Sequence, residues 1–351
     1  MINNKTILVT GGTGSFGHKF VEFVLMHYKP KKIIIYSRDE YKQYQMHKKF
    51  LEYDEILRFF IGDIRDKQRL CRALDGVDYV IHAAAFKQVP AAEYNPFEAV
   101  KTNIVGTQNL IEASIDKGIK KVVALSTDKA VNPINLYGAT KLAMEKIVIA
   151  GENYSGSKDI SFCVVRYGNV LGSRGSVIPY FIELKEKGHK VFPITDKRMS
   201  RFWLTLDEAV YLVLFALENS IGGEIFVPKI PSMKIIDIAK AICPECEFEV
   251  VGIRPGEKLY ETLISEDESR TTYDLGKHYV ILPQFLFRAK KVYQHYSIYP
   301  KVPEGFIYRS DLNSWWLSID ELRQIINKHF GEEACSPIAV NLLTRKISLA
   351  S

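Results

Sequence analysis

The stretch Thr6-Ile7-Leu8-Val9-Thr10-Gly11-Gly12-Thr13-Gly14-Ser15-Phe16-Gly17 decides how the rest of the chain reads. An apolar, β-rich run passes directly into glycines at positions 11, 14 and 17, spaced Gly-x-x-Gly-x-x-Gly, and then into a helical pattern from Gly17 to Tyr28. Strand, tight turn and helix in that order make the first crossover of a parallel sheet. Glycine serves backbone clearance here. A side chain would hold a pyrophosphate away from the helix N-terminus, where bare N–H groups and the helix dipole favour an anion. Gly11, Thr13, Gly14, Ser15, Phe16 and Gly17 are therefore candidate contacts to a dinucleotide, against the alternative of a turn that only closes a strand onto a helix.

Working outward, further apolar runs lie at Lys32–Tyr36, Arg58–Ile61, Tyr79–Ala83, Lys121–Ser126 and Phe162–Arg166. The intervals are long enough for crossover helices, as from Gly106 to Lys117. Such alternation predicts an α/β fold, a doubly wound parallel sheet of the Rossmann kind. After about residue 172 glycine and proline become denser (Gly172, Gly175, Pro179, Pro193, Pro228, Pro231, Pro255) and the alternation turns irregular. The expected organisation is a dinucleotide-binding unit over 1–172 with a segment returning to it near 206–235. A smaller mixed α/β unit over 173–205 and 236–330 would hold substrate, and 331–351 would form a loosely held tail.

Composition bounds the rest. With 47% hydrophobic and 25% charged residues among 351, wholesale disorder is excluded. The longest apolar candidate, Ala209 to Leu217, falls well short of the ~18 residues of a membrane span and suits a buried helix. No cationic and apolar leader precedes Thr6, so a soluble cytoplasmic protein with no membrane partner is expected. Five cysteines in so long a chain do not make a disulfide framework. Cys243-Pro-Glu-Cys246 has redox-motif spacing but lacks a second pair of zinc ligands, so it reads as structurally incidental and no metal is expected. The net charge of +6 is scattered, which suits a small phosphate-bearing ligand rather than nucleic acid.

The end of the second strand selects the cofactor. An acid there would accept from the ribose 2′-hydroxyl of NAD, whereas arginine suits the 2′-phosphate of NADP. The chain reads Ser37-Arg38-Asp39, with Lys42 beyond. Ser37, Arg38 and Lys42 favour NADP, the planar guanidinium fitting phosphate bidentately, and NAD is the lesser alternative through Asp39. Asp63 and Ile64, after the third strand, are placed to contact adenine.

Tyr137-Gly138-Ala139-Thr140-Lys141 sets a phenol and an ammonium four residues apart, on one helix face. Tyrosine, with an ordinary pKa near 10, is a poor base at neutral pH; a neighbouring cation favours the phenolate, and a drop of ~3 units corresponds to ~4 kcal/mol.

Together these features resemble the extended short-chain dehydrogenase/reductase family of nucleotide-sugar enzymes, on Thr10 to Gly17, Ala83-Ala84-Ala85, Asn103, Ser126-Thr127 and Tyr137-x-x-x-Lys141. The resemblance spans about residues 5–330 and implies dinucleotide contacts from Ala83, Ala84, Ala85, Asn103, Tyr137 and Lys141. It also implies that Thr127 and Tyr137 handle the proton of a sugar C4-hydroxyl. Asp128-Lys129 then narrows the reading. A 4-epimerase needs only small residues there, whereas a 4,6-dehydratase must remove the C5 proton and protonate the departing C6-hydroxyl, which calls for two further ionisable groups. Glucose-type dehydratases are similar but carry Asp-Glu. The lysine matches the inverting UDP-N-acetylglucosamine 4,6-dehydratases of pseudaminic acid synthesis, as do Phe59 to Asp63, Asn132 to Lys141, Arg166 to Val170, Arg201-Phe202-Trp203 and Ile253 to Lys258.

The resemblance implies a three-step reaction: C4 oxidation by Tyr137 with Thr127, Lys141 and NADP; elimination with neutral Lys129 as base and protonated Asp128 as acid; and hydride return to C6 with reprotonation of C5 on the opposite face. Acid and base within the pair could exchange roles. The product would be UDP-2-acetamido-2,6-dideoxy-beta-L-arabino-hex-4-ulose, with the cofactor recycled. Lys87, Asn169, Arg201, Arg254 and Glu257 are the implied substrate contacts, Arg254 at the diphosphate and Glu257 at the uridine ribose. Relatives assemble as dimers or hexamers, so a homo-oligomer is expected. The alternatives are a UDP-hexose 4-epimerase, a retaining dehydratase, or an NADP-sensing binding protein that has lost the chemistry.

Overall fold

Burial on both faces explains the strand composition. In the computed structural model, which describes residues 1–172, 176–285 and 289–335, strand β1 (Thr6–Thr10) is buried at every position. The strands continue as β2 (Lys32–Ser37), β3 (Leu57–Ile61), β4 (Tyr79–His82), β5 (Lys121–Thr127), β6 (Ser161–Tyr167), β7 (Asn169–Val170) and β8 (Val191–Ile194). After them come β9 (Ser200–Leu204), β10 (Ile225–Pro228), β11 (Ser232–Lys234), β12 (Glu247–Val250), β13 (Thr262–Ile264), β14 (Thr272–Asp274), β15 (His278–Ile281) and β16 (Tyr308–Arg309). The helices that bear on the argument are α1 (Ser15–His27), α2 (Glu40–Lys49), α3 (Lys67–Ala73), α4 (Val89–Tyr94), α5 (Pro96–Val100), α6 (Gly106–Lys117), α7 (Leu136–Tyr154), α8 (Val177–Glu186), α9 (Leu206–Asn219) and α10 (Ile235–Ile242).

The large sheet runs β14-β15-β10-β6-β5-β4-β1-β2-β3. From β3 to β10 the neighbours are parallel, and β15 and β14 add antiparallel at the far edge. This is the doubly wound α/β architecture expected from the sequence, and its order reverses between β1 and β4, where such sheets bind ligands outside the carboxyl ends of their strands. The apolar run at 209–217 is the core face of α9, whose start is fixed by a reciprocal cap between Thr205 and Glu208.

A second apolar core lies apart from the sheet, joining Ile178 and Phe181 of α8 to Phe192, Trp203, Ile238, Ile242, Leu322 and Ile326. Two features of the later chain differ from the sequence reading. The range 236–330 does not lie wholly with this smaller core, because β14 and β15 extend the large sheet, and β11, at the end of the segment 206–235 expected to return to the dinucleotide-binding unit, pairs instead with β9. A three-residue strand pairing antiparallel at an edge carries too short a pattern to be read ahead of the fold. The chain from 331 is not loose at its start either. Ala334 and Cys335 are buried in the second core, Lys185 Nζ donates to the Ala334 carbonyl (2.9 Å), and the Cys335 N–H donates to Asn327 Oδ1 (3.1 Å). Residues 336–351 lie outside the described residues.

Cys243 and Cys246 form a disulfide at the end of α10, with Cα atoms 5.4 Å apart, where the sequence reading took the pair as incidental. A turn at the helix end brings the two thiols together inside the second core.

Candidate active site

The glycine turn is built by close packing. Gly11 has φ +64°, and a Cβ there would meet the Ala84 backbone at 2.8 Å; a Cβ on Gly17 would run into Gly12. Glycine thus lets β1, α1 and the Ala83–Ala84 stretch approach one another. Gly14 is the N-cap of α1 and no side chain caps this end, so the first N–H groups of α1 are supplied with no side-chain acceptor. That arrangement fits a pyrophosphate. Thr13 and Gly17 are buried, Ser15 and Phe16 half-buried, and Phe16 stacks on Phe20 with ring centroids 5.9 Å apart.

At the end of β2, Ser37 is buried and its Oγ accepts from Gln43 Nε2 (3.0 Å). Arg38 is exposed, with Nη1 3.7 Å from Asp63 Oδ2. Asp39 caps α2, its Oδ1 accepting from the Lys42 N–H (2.9 Å) while Lys42 Nζ sits 2.7 Å from Oδ2. The hydrogen bond with Lys42 holds the Asp39 carboxyl below its usual range. Asp63 spends both carboxylate oxygens on Arg65 (2.7–2.9 Å), and Ile64 is buried against Gly106. Asn103 is buried and holds the loop after β4 by accepting from the Phe86 N–H (2.7 Å) and donating to the Phe86 carbonyl (2.9 Å) and Thr140 Oγ1 (2.9 Å). Ala85 and Lys87 stand exposed on that loop.

The chemical groups come from the end of β5 and the start of α7. The strand delivers Thr127, and a single 3-10 turn, Asp128–Ala130, projects the next two side chains. Asn135 caps α7 by accepting from the Gly138 N–H (2.8 Å), which fixes where Tyr137 emerges. Thr127 Oγ1 donates to Asp128 Oδ1 (2.8 Å), and the same oxygen receives Lys129 Nζ at 3.0 Å. Asp128 is fully buried, and its Oδ2 has no hydrogen-bond partner. Burial pushes the Tyr137 phenol up to about 12; Lys129 pulls it down, Asp128 opposes, and the hydrogen bond with Thr127 lowers it.

Two details depart from the sequence reading. Lys141 is buried and donates to the Leu125 carbonyl (2.6 Å), and the cation that acts on Tyr137 is Lys129. Burial brings Lys141 down to about 8, Glu145 opposing. Lys129 is not neutral in this state: burial disfavours its charge, but the carboxylates of Asp128 and Glu261 outweigh that and hold it as an ammonium, above its ordinary range.

Among the implied substrate contacts, Asn169 on β7 reaches this cluster, its Oδ1 3.5 Å from Lys129 Nζ. Arg201 is buried on β9 and committed to the protein, donating to the carbonyls of Ser200 (2.7 Å), Lys258 (2.8 Å) and Leu259 (3.1 Å). Glu257 lies 3.6 Å from Arg201 and keeps its Oε2 buried without a partner. Arg254 is exposed on the same loop. That loop is fastened to the chemical site, Asn135 Nδ2 donating to the Gly256 carbonyl (2.8 Å) and Lys258 Nζ to the Val131 carbonyl (2.6 Å). The residue passed over by the sequence reading is Glu261, just beyond the loop. It is 2% exposed, with Oε1 3.4 Å from Lys129 Nζ and 3.7 Å from Arg201 Nε. The available signal was an acid set directly before the apolar strand Thr262-Leu263-Ile264, downstream of the Arg254-to-Lys258 motif.

The polysaccharide biosynthesis protein family matches residues 7–283. A protein of Campylobacter jejuni subsp. jejuni serotype O:2 named UDP-N-acetylglucosamine 4,6-dehydratase (inverting) is 54% identical over 333 residues, 93% of this chain and 98% of the relative. A Rickettsia canadensis protein named UDP-glucose 4-epimerase is 44% identical over 289 residues, 80% of this chain and 84% of its own. The X-ray structure of Pen from Bacillus thuringiensis superposes with a TM-score of 0.83 at 39% identity, covering 93% of this chain and 99% of that one. On its match over 7–283, its near full-length relatives and its glycine-turn and Tyr-x-x-x-Lys architecture, the chain belongs to the polysaccharide biosynthesis protein family, a branch of the extended short-chain dehydrogenases/reductases.

Proposed function

We propose that this chain is a C5-inverting UDP-N-acetylglucosamine 4,6-dehydratase that works with tightly held, recycled NADP. One observation carries the reading: Thr127, Asp128 and Lys129 form a continuous hydrogen-bonded cluster beside Tyr137, with Asp128 fully buried and 3.0 Å from Lys129. An acid and a base side by side are what elimination of water across C5 and C6 requires, and a 4-epimerase has no use for them. The 54% identity to an inverting dehydratase over almost the whole chain supports the same conclusion.

The bound dinucleotide supplies hydride acceptance at C4 and hydride return at C6. The remaining work belongs to the chain. Tyr137 takes the C4-hydroxyl proton, which asks for stabilisation of its phenolate beyond what Lys129 and Thr127 already give, since the phenol stands at about 12 with both in place; the charge of a bound dinucleotide would add to theirs. The C4 ketone acidifies the C5 proton, which Lys129 removes, and Asp128 protonates the departing C6-hydroxyl. Asn169 and Lys87 would touch the sugar, Arg254 the diphosphate and Glu257 the uridine ribose. Arg201, with its donors already engaged, would act by holding Glu257 and the loop.

NADP is preferred over NAD because Asp39, the acid that could serve a ribose, is committed to capping α2, while Arg38 stands exposed. Asp63 and Ile64 would border the adenine. Exposed Tyr94 and Phe97 on α4 and α5 support assembly as a homo-oligomer. No helix among the described residues is long and apolar enough to cross a membrane, and we place the enzyme in the cytoplasm, at the entry to pseudaminic acid synthesis. The epimerase name of the Rickettsia canadensis relative motivates the second reading. NMR of the product from purified protein and UDP-N-acetylglucosamine separates them: a 4-keto-6-deoxy sugar with inverted C5 is expected, and a 4-epimer with C6 intact would refute the dehydratase.

A further inference from the structure

Lys129 Nζ faces three acceptors, Asp128 Oδ1 at 3.0 Å, Glu261 Oε1 at 3.4 Å and Asn169 Oδ1 at 3.5 Å. As an ammonium it cannot take a proton from C5. It must first lose one, and where that proton goes is a question of which neighbour can hold it. The Asn169 amide cannot at neutral pH. Asp128 is hydrogen-bonded through Thr127 toward Tyr137, the group that collects the C4-hydroxyl proton, and it must itself be protonated to release water from C6. A proton arriving on Asp128 by that route leaves Glu261 as the acceptor open to Lys129. Glu261 is built for it: 2% exposed, with Oε2 buried and lacking any hydrogen-bond partner, so that its ionised form is poorly solvated.

We propose that Glu261 is the positioning residue that makes Lys129 a base, by accepting the Lys129 proton before C5 is attacked. The inference rests on the dehydratase reading. The C4-hydroxyl proton passes from Tyr137 through Thr127 to Asp128, and the Nζ–H bond of Lys129 breaks as the Glu261 Oε–H bond forms. The C5–H electron pair then becomes the C5=C6 bond as its proton goes to Lys129, and the C6–O bond breaks with the Asp128 proton to give water. Lys129 and Glu261 return to the resting charge state by losing one proton to solvent, and C5 receives one solvent-derived proton on its other face. The groups that face Glu261 are Lys129 and Asp128 from the turn after β5, Arg201 from β9 and Lys258 from the loop. Burial pushes its carboxyl up and Asp128 adds to this, while Lys129, Arg201 and Lys258 pull it down.

The test compares wild type with Glu261→Gln and Glu261→Asp, each purified with bound dinucleotide and mixed with UDP-N-acetylglucosamine. Glu261→Gln keeps the shape and removes the proton acceptor. Its turnover is expected to fall by about 10²-fold or more with KM little changed, and reduced nicotinamide should build up on the protein because oxidation at C4 outruns loss of the C5 proton. Product formation by this variant should climb with pH, where solvent can take the Lys129 proton, across a range in which wild type is flat. Glu261→Asp, which keeps the acid, should recover turnover together with the wild-type pH profile. Unchanged kcat in Glu261→Gln, or an equal loss in both variants with no reduced nicotinamide and no change of pH profile, would overturn the proposal and leave the dehydratase reading standing. Wild type that forms no 4-keto product would sink that reading, and this inference with it.

Discussion

Asp128 and Lys129 show how far a single dipeptide can carry a functional reading. Their identity was legible because the reaction needs two ionisable groups beside the tyrosine, and the chain places them in the turn that directly follows Thr127. Their charge state was not legible, since it depends on Glu261, which arrives 132 positions later along the chain and meets Lys129 only in the fold. The same holds for Lys141, whose partner is a strand carbonyl that no side-chain pattern reveals. Lys129→Met is expected to retain dinucleotide and UDP-N-acetylglucosamine binding by calorimetry while losing at least ~10²-fold in dehydration; unchanged turnover would remove Lys129 from the mechanism. Arg38→Ala is expected to weaken NADP binding by about ten- to a hundredfold and leave NAD binding little altered, as loss of a charge-assisted contact to a 2′-phosphate implies. Equal effects on both dinucleotides would shift the preference to NAD.

Strands and helices of the large sheet were readable because each is an apolar run of the right length between turns, and β1, β2 and β6 begin and end within a residue or two of those runs. Elements whose partners are distant were not readable: β14 and β15 are short, half-polar and find the sheet edge only after the chain has left it. The joints between elements hide in the same way. Arg166 of β6 is buried and makes paired contacts to Glu145 of α7 (2.7 and 3.0 Å) and to Glu268 (2.9 and 3.0 Å), while Ser126 of β5 donates to Glu145. This network locks α7, and with it Tyr137, against the sheet. Removing Glu145 leaves the buried Arg166 with Glu268 as its remaining carboxylate and takes away the acceptor of the Ser126 hydroxyl, so Glu145→Ala is expected to cost about 3 kcal/mol in denaturant unfolding. A change within ~0.5 kcal/mol would show that the network does not carry α7.

For the molecule as a whole, the doubly wound sheet was legible in the alternation of the first half, whereas its strand order, the reversal between β1 and β4 and the membership of the second core depend on pairings between distant segments. Its response to acid has a definable source at the same reversal. His82, at the end of β4, is buried between Thr10 Oγ1 (2.8 Å) and Thr107 Oγ1 (3.1 Å), and burial, with Lys141 adding, brings it down to about 3. Because the unfolded chain takes up this proton near pH 6.5 and the folded one does not, stability is full above that pH and falls as pH drops from about 6.5 to about 3, by up to ~1.4 kcal/mol per unit. Denaturant unfolding across this range should show that slope in wild type and a shallower one in His82→Gln; identical slopes would assign acid sensitivity elsewhere. The central claim, that an acid and a base beside the tyrosine eliminate water and rebuild C5, is tested most directly by running the reaction with UDP-N-acetylglucosamine in deuterated water and reading the product by NMR. The account calls for one deuterium at an inverted C5, a 4-keto-6-deoxy product and no net formation of reduced cofactor; protium retained at C5, or a product with its C6-hydroxyl in place, would contradict it.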